Sequence, residues 1–351
     1  MNSRGKETVF SRLTKKKTAL FSLIFLSGLF VSSLFAFSII LDKTPNSNNQ
    51  QLEISLQRPG FKTEILLKEK PISDKVSWFS KLMFGAPAKF DEIPFKKLVK
   101  LKNELEIITH TNKRRIVQED KSQIITRTYF LGTDKYGRDI MSRLILGIRI
   151  SLIIGFMAVI ISIVLGIFIG AIGAYFGGTV DKLVMYLINI TWSIPTLLLV
   201  FAIVIAFGRG FYIIFLAVGL TLWVDVARLV RGQVLKIKEE EFITAARSLS
   251  YSPYRVISKH IIPNIIGPLL VIAATNFAIA ILIEAGLSYL GFGIQPPAPS
   301  VGNMLNENYG YAISGKPFLA MIPAITIMLM VLAFNLIGSG LRDILDVKSI
   351  D

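Results

Sequence analysis

The sequence predicts an all-α polytopic membrane protein, with six transmembrane helices and a small β-rich insert between the first two. Three observations predict it. Hydrophobic residues fill 52% of the 351 positions and mean hydropathy is +0.57, more than the core of a soluble domain needs. Six largely apolar runs approach or exceed the ~20 helical residues that cross a ~30 Å hydrocarbon layer. A long polar stretch follows the first run, and its β-branched clusters alternate with turn residues.

The first run, Ala19–Leu41, carries no charge and follows Arg12, Lys15, Lys16 and Lys17. It outlasts the ~7 to 15 residues of a signal-peptide core, and no small-x-small cleavage site follows, so it reads as an uncleaved anchor. Further runs are Ile150–Tyr175, Val184–Phe207, Phe211–Arg228, Ile265–Leu290 and Phe318–Leu341. The run at Phe211 is the shortest, because Asp225 and Arg228 cut it short. Basic residues concentrate at Arg228, Arg231, Lys236, Lys238, Arg247, Arg255 and Lys259, whereas the connections near Arg209 and Lys316 hold one each. The positive-inside bias therefore places that loop and both termini in the cytoplasm.

The expected organisation is a cytoplasmic N-terminus (1–18), a first helix (19–41), an extracytoplasmic insert (42–128), an interfacial segment (129–149), a five-helix core (150–341) and a cytoplasmic tail (342–351). Gly166 and Gly170, then Gly173 and Gly177, stand four apart, a spacing that lets helix backbones approach. Frequent glycine in membrane helices explains them equally well. Pro195 and Pro268 remove helical hydrogen bonds and permit kinks. In the insert, Leu52–Gln57 alternates with period two. Ile107–Thr109 and Ile124–Thr126 also read as strands, with Asn112, Lys113 and the charged Glu119–Ser122 between them. The residues leave open whether this insert docks a partner or fills space.

The formal charge of +15 goes with anionic lipid and topology signals, and nucleic acid is not an expected partner. Cysteine is absent, which excludes disulfides and thiolate chemistry. With His110 and His260 alone, no metal site is expected.

After the insert comes Leu131-Gly132-Thr133-Asp134-Lys135-Tyr136-Gly137-Arg138-Asp139, then Ser142-Arg143-Leu144. From residue types alone this is a charged, glycine-punctuated turn feeding an interfacial helix whose arginines reach headgroups. The run also resembles the start of the C-type permease subunit of dipeptide and oligopeptide ABC importers, through Gly132, Thr133, Asp134, Gly137, Arg138 and Asp139. The resemblance extends to about Val347 through Ala227–Leu235, Glu284–Gly291, Pro296–Ser300 and Gly340–Asp343. It implies a type I ABC importer permease that is itself non-catalytic. Its implied partners are a second permease, two ATPase subunits that use ATP and Mg, and an extracytoplasmic binding protein. No cofactor would be bound by this chain. Peptides are the commonest substrate of such permeases, with nickel or another small solute as the alternative.

The loop from Glu239 to Asn264 contains Glu241-Phe242-Ile243-Thr244-Ala245-Ala246-Arg247, with an acidic start and helix-forming content. Ser252-Pro253 then opens a second helix. By residue type, a solvated amphipathic loop and a compact docking knob are equally good readings. The family resemblance implies the knob: a coupling loop seated in an ATPase subunit, with Glu241, Phe242, Thr244, Ala245, Ala246, Arg247, Ser250, His260 and Pro263 as its site residues. Ala245 and Ala246 permit close docking, and Pro263 starts the next membrane helix.

Several positions depart from the family pattern. Thr244 replaces a usual Glu, Ser250 a usual Gly, Val301 a frequent Trp and Ser339 a frequent Asp. If the turn needs positive φ, Ser250 strains it by roughly 1 kcal/mol. Gly310–Pro317 mimics a phosphate-binding loop, but Pro317 replaces the Mg-ligating Ser or Thr and no strand precedes it. Glu284 is the acidic residue expected within a span, either on a transport pathway or meeting water at the outer end of its helix. A membrane-anchored receptor would need a signalling domain after the last span, where about ten residues follow Leu341. A secondary transporter would favour paired ionisable groups at mid-membrane.

Overall fold

The computed structural model describes residues 9–70, 76–100, 104–118 and 122–346. The chain begins with α1 (Val9–Lys15), α2 (Lys17–Leu34) and a short α3 (Ala36–Ile39). The insert holds β1 (Phe61–Glu69), α4 (Trp78–Phe84), β2 (Phe90–Phe95), β3 (Lys97–Lys100), β4 (Glu104–Ile108), β5 (Arg114–Gln118) and β6 (Ser122–Tyr129). The helical remainder comprises α5 (Ile140–Phe176), α6 (Gly178–Ser193), α7 (Thr196–Phe207), α8 (Phe211–Lys238), α9 (Glu241–Ser248), α10 (Pro253–Val256), α11 (Ile262–Tyr289), α12 (Val301–Asn308) and α13 (Phe318–Asp346). Among the described residues, five helices are long and apolar enough to cross a membrane, and the bent pair α6 and α7 makes up to six spans.

Several boundaries differ from expectation for identifiable reasons. Val184–Phe207 is not one helix: α6 and α7 meet at 89°. Ile194, forced out of helical geometry by the following proline, adopts φ −94 and ψ 127. Asp225 and Arg228 do not end α8, which runs on to Lys238. The Arg228 guanidinium lies 3.8 Å from the Trp192 ring centre, so its charge stays within the helix on a cation–π contact. Helix α5 starts ten residues before the expected Ile150, at Ile140. The helix expected from Ile265 is continuous from Pro253 to Tyr289, through a π-helical turn at Ile257–Ile261. That wider turn accommodates Pro263, which has no N–H to give and whose ring crowds the carbonyl four residues back. The first span stops at Leu34 and continues as the separate short α3.

Two compact units emerge. One gathers the chain up to Gly28, Ser151–Ile294 and the chain from Thr326. Its core joins Ala171 and Ala174 of α5 to Val226, Val230 and Val234 of α8 and to Ile265 and Leu269 of α11. Close approach of α5 to α8 requires glycine: a Cβ on Gly170 would strike the Ala227 carbonyl and lie 3.0 Å from its Cα, and one on Gly166 would strike Val226. The Gly166/Gly170 spacing is thus a packing seam, whereas a Cβ on Gly177 meets only Lys238 Nζ, at 3.9 Å.

The second unit contains Leu29–Ile150 and Gln295–Ile325. It holds two antiparallel sheets, ordered β2-β1-β6 and β3-β4-β5. Ile65 pairs with Ile125 and Leu98 with Ile107, and Leu66, Phe95, Leu105 and Ile107 form the insert's core. The strands expected at Ile107 and Ile124 are present. Leu52–Gln57 is instead a helical turn at Leu52–Ile54 followed by Leu56 at φ 58. Its backbone binds the Thr133–Asp134 segment in place of a strand partner: Leu56 N donates to Asp134 O at 2.9 Å and Thr133 N to Gln57 O at 3.1 Å. Of the expected Glu119–Ser122 turn, Glu119–Lys121 lie outside the described residues.

Candidate functional site

Helix α9 opens on Glu241, whose charge suits the helix N-terminus, and closes in a Schellman motif. Tyr251 N donates to Ala246 O at 3.2 Å and Ser250 N to Arg247 O at 2.8 Å. This geometry puts Ser250 at φ 57, the left-handed conformation that favours glycine. Ser252 then caps α10, its Oγ accepting from Arg255 N at 3.4 Å. Two short helices around a tight turn make the knob that the sequence suggests.

The knob has two sides. Ile243 and Ala246 are buried in the core shared with α5, α8 and α11. Glu241, Phe242, Thr244, Ala245, Arg247 and Ser250 are exposed. Ala245 therefore belongs to a surface on which a partner can sit, while Ala246 faces the chain's own interior. Further contacts, invisible to motif reading, fasten the knob. The Arg247 guanidinium lies 4.9 Å from the Tyr175 ring centre. Lys238 Nζ donates to the carbonyls of Ala174 and Tyr175 at 3.3 and 2.8 Å, satisfying acceptors at the end of α5. His260 is half-buried and stacks on Tyr251; its carbonyl accepts from Asn264 Nδ2 at 2.6 Å. Pro263 stands exposed in the first turn of α11.

The Gly132–Asp139 segment forms a second cluster, fixed by charge. Asp134 accepts from the backbone N–H of Tyr136 and Arg138 at 2.9 and 3.0 Å, and from Arg138 Nε at 2.6 Å. Arg138 also donates to Glu307 Oε2 at 2.7 Å and to Asn48 Oδ1 at 3.1 Å. Asp139 begins α5 by accepting from Ser142 N at 2.9 Å, and burial pushes its carboxyl above the usual range. Thr133 Oγ1 donates to Ile54 O and accepts from Gln57 N. At Gly137, φ is +73 and a Cβ would strike the Gln51 carbonyl; at Gly132, φ is +81 and a Cβ would strike Gln57 O. Neither arginine reaches headgroups, contrary to expectation: Arg138 and Arg143 are 3% and 2% exposed, with Arg143 3.9 Å from both Asp134 and Glu307. The motif is a charged clasp between the start of α5, the arm at Asn48–Gln57 and α12. Glu307 escaped sequence reading; its signal is an acidic residue between Asp/Glu-free stretches on either side.

Glu284 does not meet water. It is 0% exposed, and its two oxygens accept from Ser151 Oγ at 2.7 Å and Ser288 Oγ at 2.8 Å. These contacts join α11 to α5 within one unit.

The pattern of the family described as "Binding-protein-dependent transport system inner membrane component" matches residues 162–350, and so includes α9, its turn, His260 and Glu284. The chain belongs to this family. It is a multi-pass inner-membrane permease subunit. Among similar proteins, the oligopeptide transport system permease protein OppC of Bacillus subtilis is 37% identical over 223 residues, covering 64% of this chain and 73% of the relative. OppC of Haemophilus influenzae is 40% identical over 220 residues, covering 63% and 70%. The glutathione transport system permease protein GsiD of Escherichia coli is 39% identical over 220 residues, covering 63% and 72%. A looser likeness links the chain to the inward-facing MetNI methionine ABC transporter, at TM-score 0.48 and 20% identity over 58% of this chain and 97% of that one.

Proposed function

We propose that this chain is a permease subunit of an ATP-driven importer of peptides, with both termini in the cytoplasm. In this reading it pairs with a second permease, receives substrate from an extracytoplasmic binding protein and draws power from two ATPase subunits that hold ATP and Mg. The peptide assignment rests on the similarity to oligopeptide and glutathione permeases.

The observation that carries coupling is the two-sided knob. Glu241, Phe242, Thr244, Ala245 and Arg247 offer an exposed surface to an ATPase. Ile243 and Ala246 lie in the core that holds α5, α8 and α11 together. Protein interiors are close-packed and transmit displacement, so motion of a docked ATPase moves three membrane helices. The basic residues between Arg228 and Lys259 support a cytoplasmic position for the knob.

Peptide uptake by cells carrying Ala245→Arg tests the assignment. The expected outcome is loss of labelled di- and tripeptide uptake with unchanged amounts of the chain in the membrane. Unchanged uptake would overturn the coupling role of this surface. Absence of peptide uptake in cells with the unaltered chain and its companion subunits would overturn the substrate.

A further inference from the structure

Helix α4 is a short segment that leaves its aromatic side chains uncovered. None of its residues is buried, and Trp78, Phe79 and Phe84 are 76%, 58% and 68% exposed. A soluble insert gains nothing from displaying three aromatics in seven residues. The position of α4 supplies the reason.

Its C-terminal end is tied to the boundaries of two membrane spans. Ala86 N donates to Lys43 O at 3.0 Å. A Cβ on Gly85 would lie 2.7 Å from that carbonyl and 2.7 Å from the Phe37 ring, so α4 closes directly onto the end of the first span, where Asp42 and Lys43 are the first charges. From the second span, Arg149 donates to the Met83 carbonyl at 2.8 Å, just before the uncharged run that starts at Ile150. Both contacts set α4 at the level where the apolar runs stop.

The exposed surface beside it is continuous in character. Phe30, Val31, Leu34, Phe35 and Ile39 form the apolar flank of the first span, and α3 packs on α4. Aromatic residues concentrate at this depth in membrane proteins, with rings among the headgroups and lysine ammonium groups at the phosphates. Lys81, exposed on α4, supplies such a cation.

We infer that α4 is an interfacial anchor: Trp78, Phe79 and Phe84 insert into the lipid leaflet on the insert's side and hold the two-sheet insert against the membrane surface. The anchor needs only that the chain spans a membrane, so it stands apart from the peptide and coupling assignments. It also gives the insert a fixed platform on the bilayer.

The test uses the full chain in lipid nanodiscs. Replacing Trp192 and Trp223 by Phe leaves Trp78 as the last of three tryptophans. Its emission should be blue-shifted, lose most of its intensity in lipid brominated along the acyl chains, and respond weakly to aqueous iodide. Quenching by iodide but not by brominated lipid would overturn the anchor. Because Trp192 stacks on Arg228, a second measurement keeps all tryptophans. Phe79→Cys in this naturally cysteine-free chain, carrying a nitroxide, should be more accessible to oxygen than to a water-soluble nickel complex. A label at Ile116→Cys, an exposed site on β5, should show the reverse. Equal behaviour at the two sites would overturn the proposal, as would shielding of the Phe79 label only when a companion subunit is added, which would assign the aromatics to a protein partner.

Discussion

Replacing Arg138 by Met removes the centre of the charged clasp while keeping an unbranched side chain. The guanidinium donates to Asp134 at 2.6 Å, Glu307 at 2.7 Å and Asn48 at 3.1 Å, and lies 4.5 Å from the Tyr136 ring centre. Its carboxylate partners are 4% and 19% exposed, so water cannot fully replace it. Breaking a buried ion pair from one side costs about 3–5 kcal/mol. Arg143, 3.9 Å from the same two carboxylates, compensates in part and sets the expectation at about 3 kcal/mol. At ~2 °C per kcal/mol for a large chain, thermal unfolding in detergent should fall by roughly 6 °C. Adding Glu307→Gln removes one stranded carboxylate and should recover about 1–2 kcal/mol. A fall below about 2 °C, or a double variant no more stable than the single one, refutes the claim that the arginine holds buried negative charge.

Other perturbations separate the remaining features. Ser250→Gly relieves a left-handed φ of 57 and should raise stability by about 1 kcal/mol, read as slower local opening of α9 in hydrogen exchange. Gly170→Leu drives a side chain into the Ala227 backbone and should cost about 1–3 kcal/mol or more, whereas Gly232→Ala, with nothing within 4 Å, should stabilise α8 by about 0.5–1 kcal/mol; equal thermal shifts would refute the packing seam. Burial, then the charge of Lys96, holds the His110 imidazole below its ordinary value. The folded insert therefore binds this proton less readily than the unfolded chain. Its stability is fullest above the ordinary histidine value and declines as pH falls through the lowered folded one. Exchange protection of β1, whose Thr63 Oγ1 lies 2.8 Å from His110 Nε2, should drop on acidification, and His110→Gln should flatten that drop.

Hydrophobicity and local turn chemistry revealed what depends on neighbours in sequence. The apolar runs located most of the membrane helices and Ser252-Pro253 started α10, while Ser250 in place of the family's usual Gly marked the turn whose φ the structure finds positive. Features set by distant partners stayed hidden. Asp225 and Arg228 looked like the end of a span because Trp192, which receives Arg228, stands 36 positions earlier. Leu52–Gln57 has the alternation of a strand, yet its hydrogen bonds go to a turn at Thr133 and Asp134. Glu307 joins Arg138 from 169 residues away. In the knob, residue type marked both Ala245 and Ala246 as small, and only helix phase distinguishes outside from inside.

The right-angled break between α6 and α7 leaves unfinished carpentry. Helix α7 has 12 residues, a rise of about 18 Å, too short to cross the ~30 Å layer alone. Ser193 and Thr191 patch two carbonyls at the break, those of Ile190 and Leu187, at 2.7 and 3.0 Å. Ile194 and Leu197 nonetheless stand 40% and 41% exposed around irregular backbone. Oil does not tolerate such a joint. The corner between α6 and α7 must therefore meet polar partners rather than bare hydrocarbon.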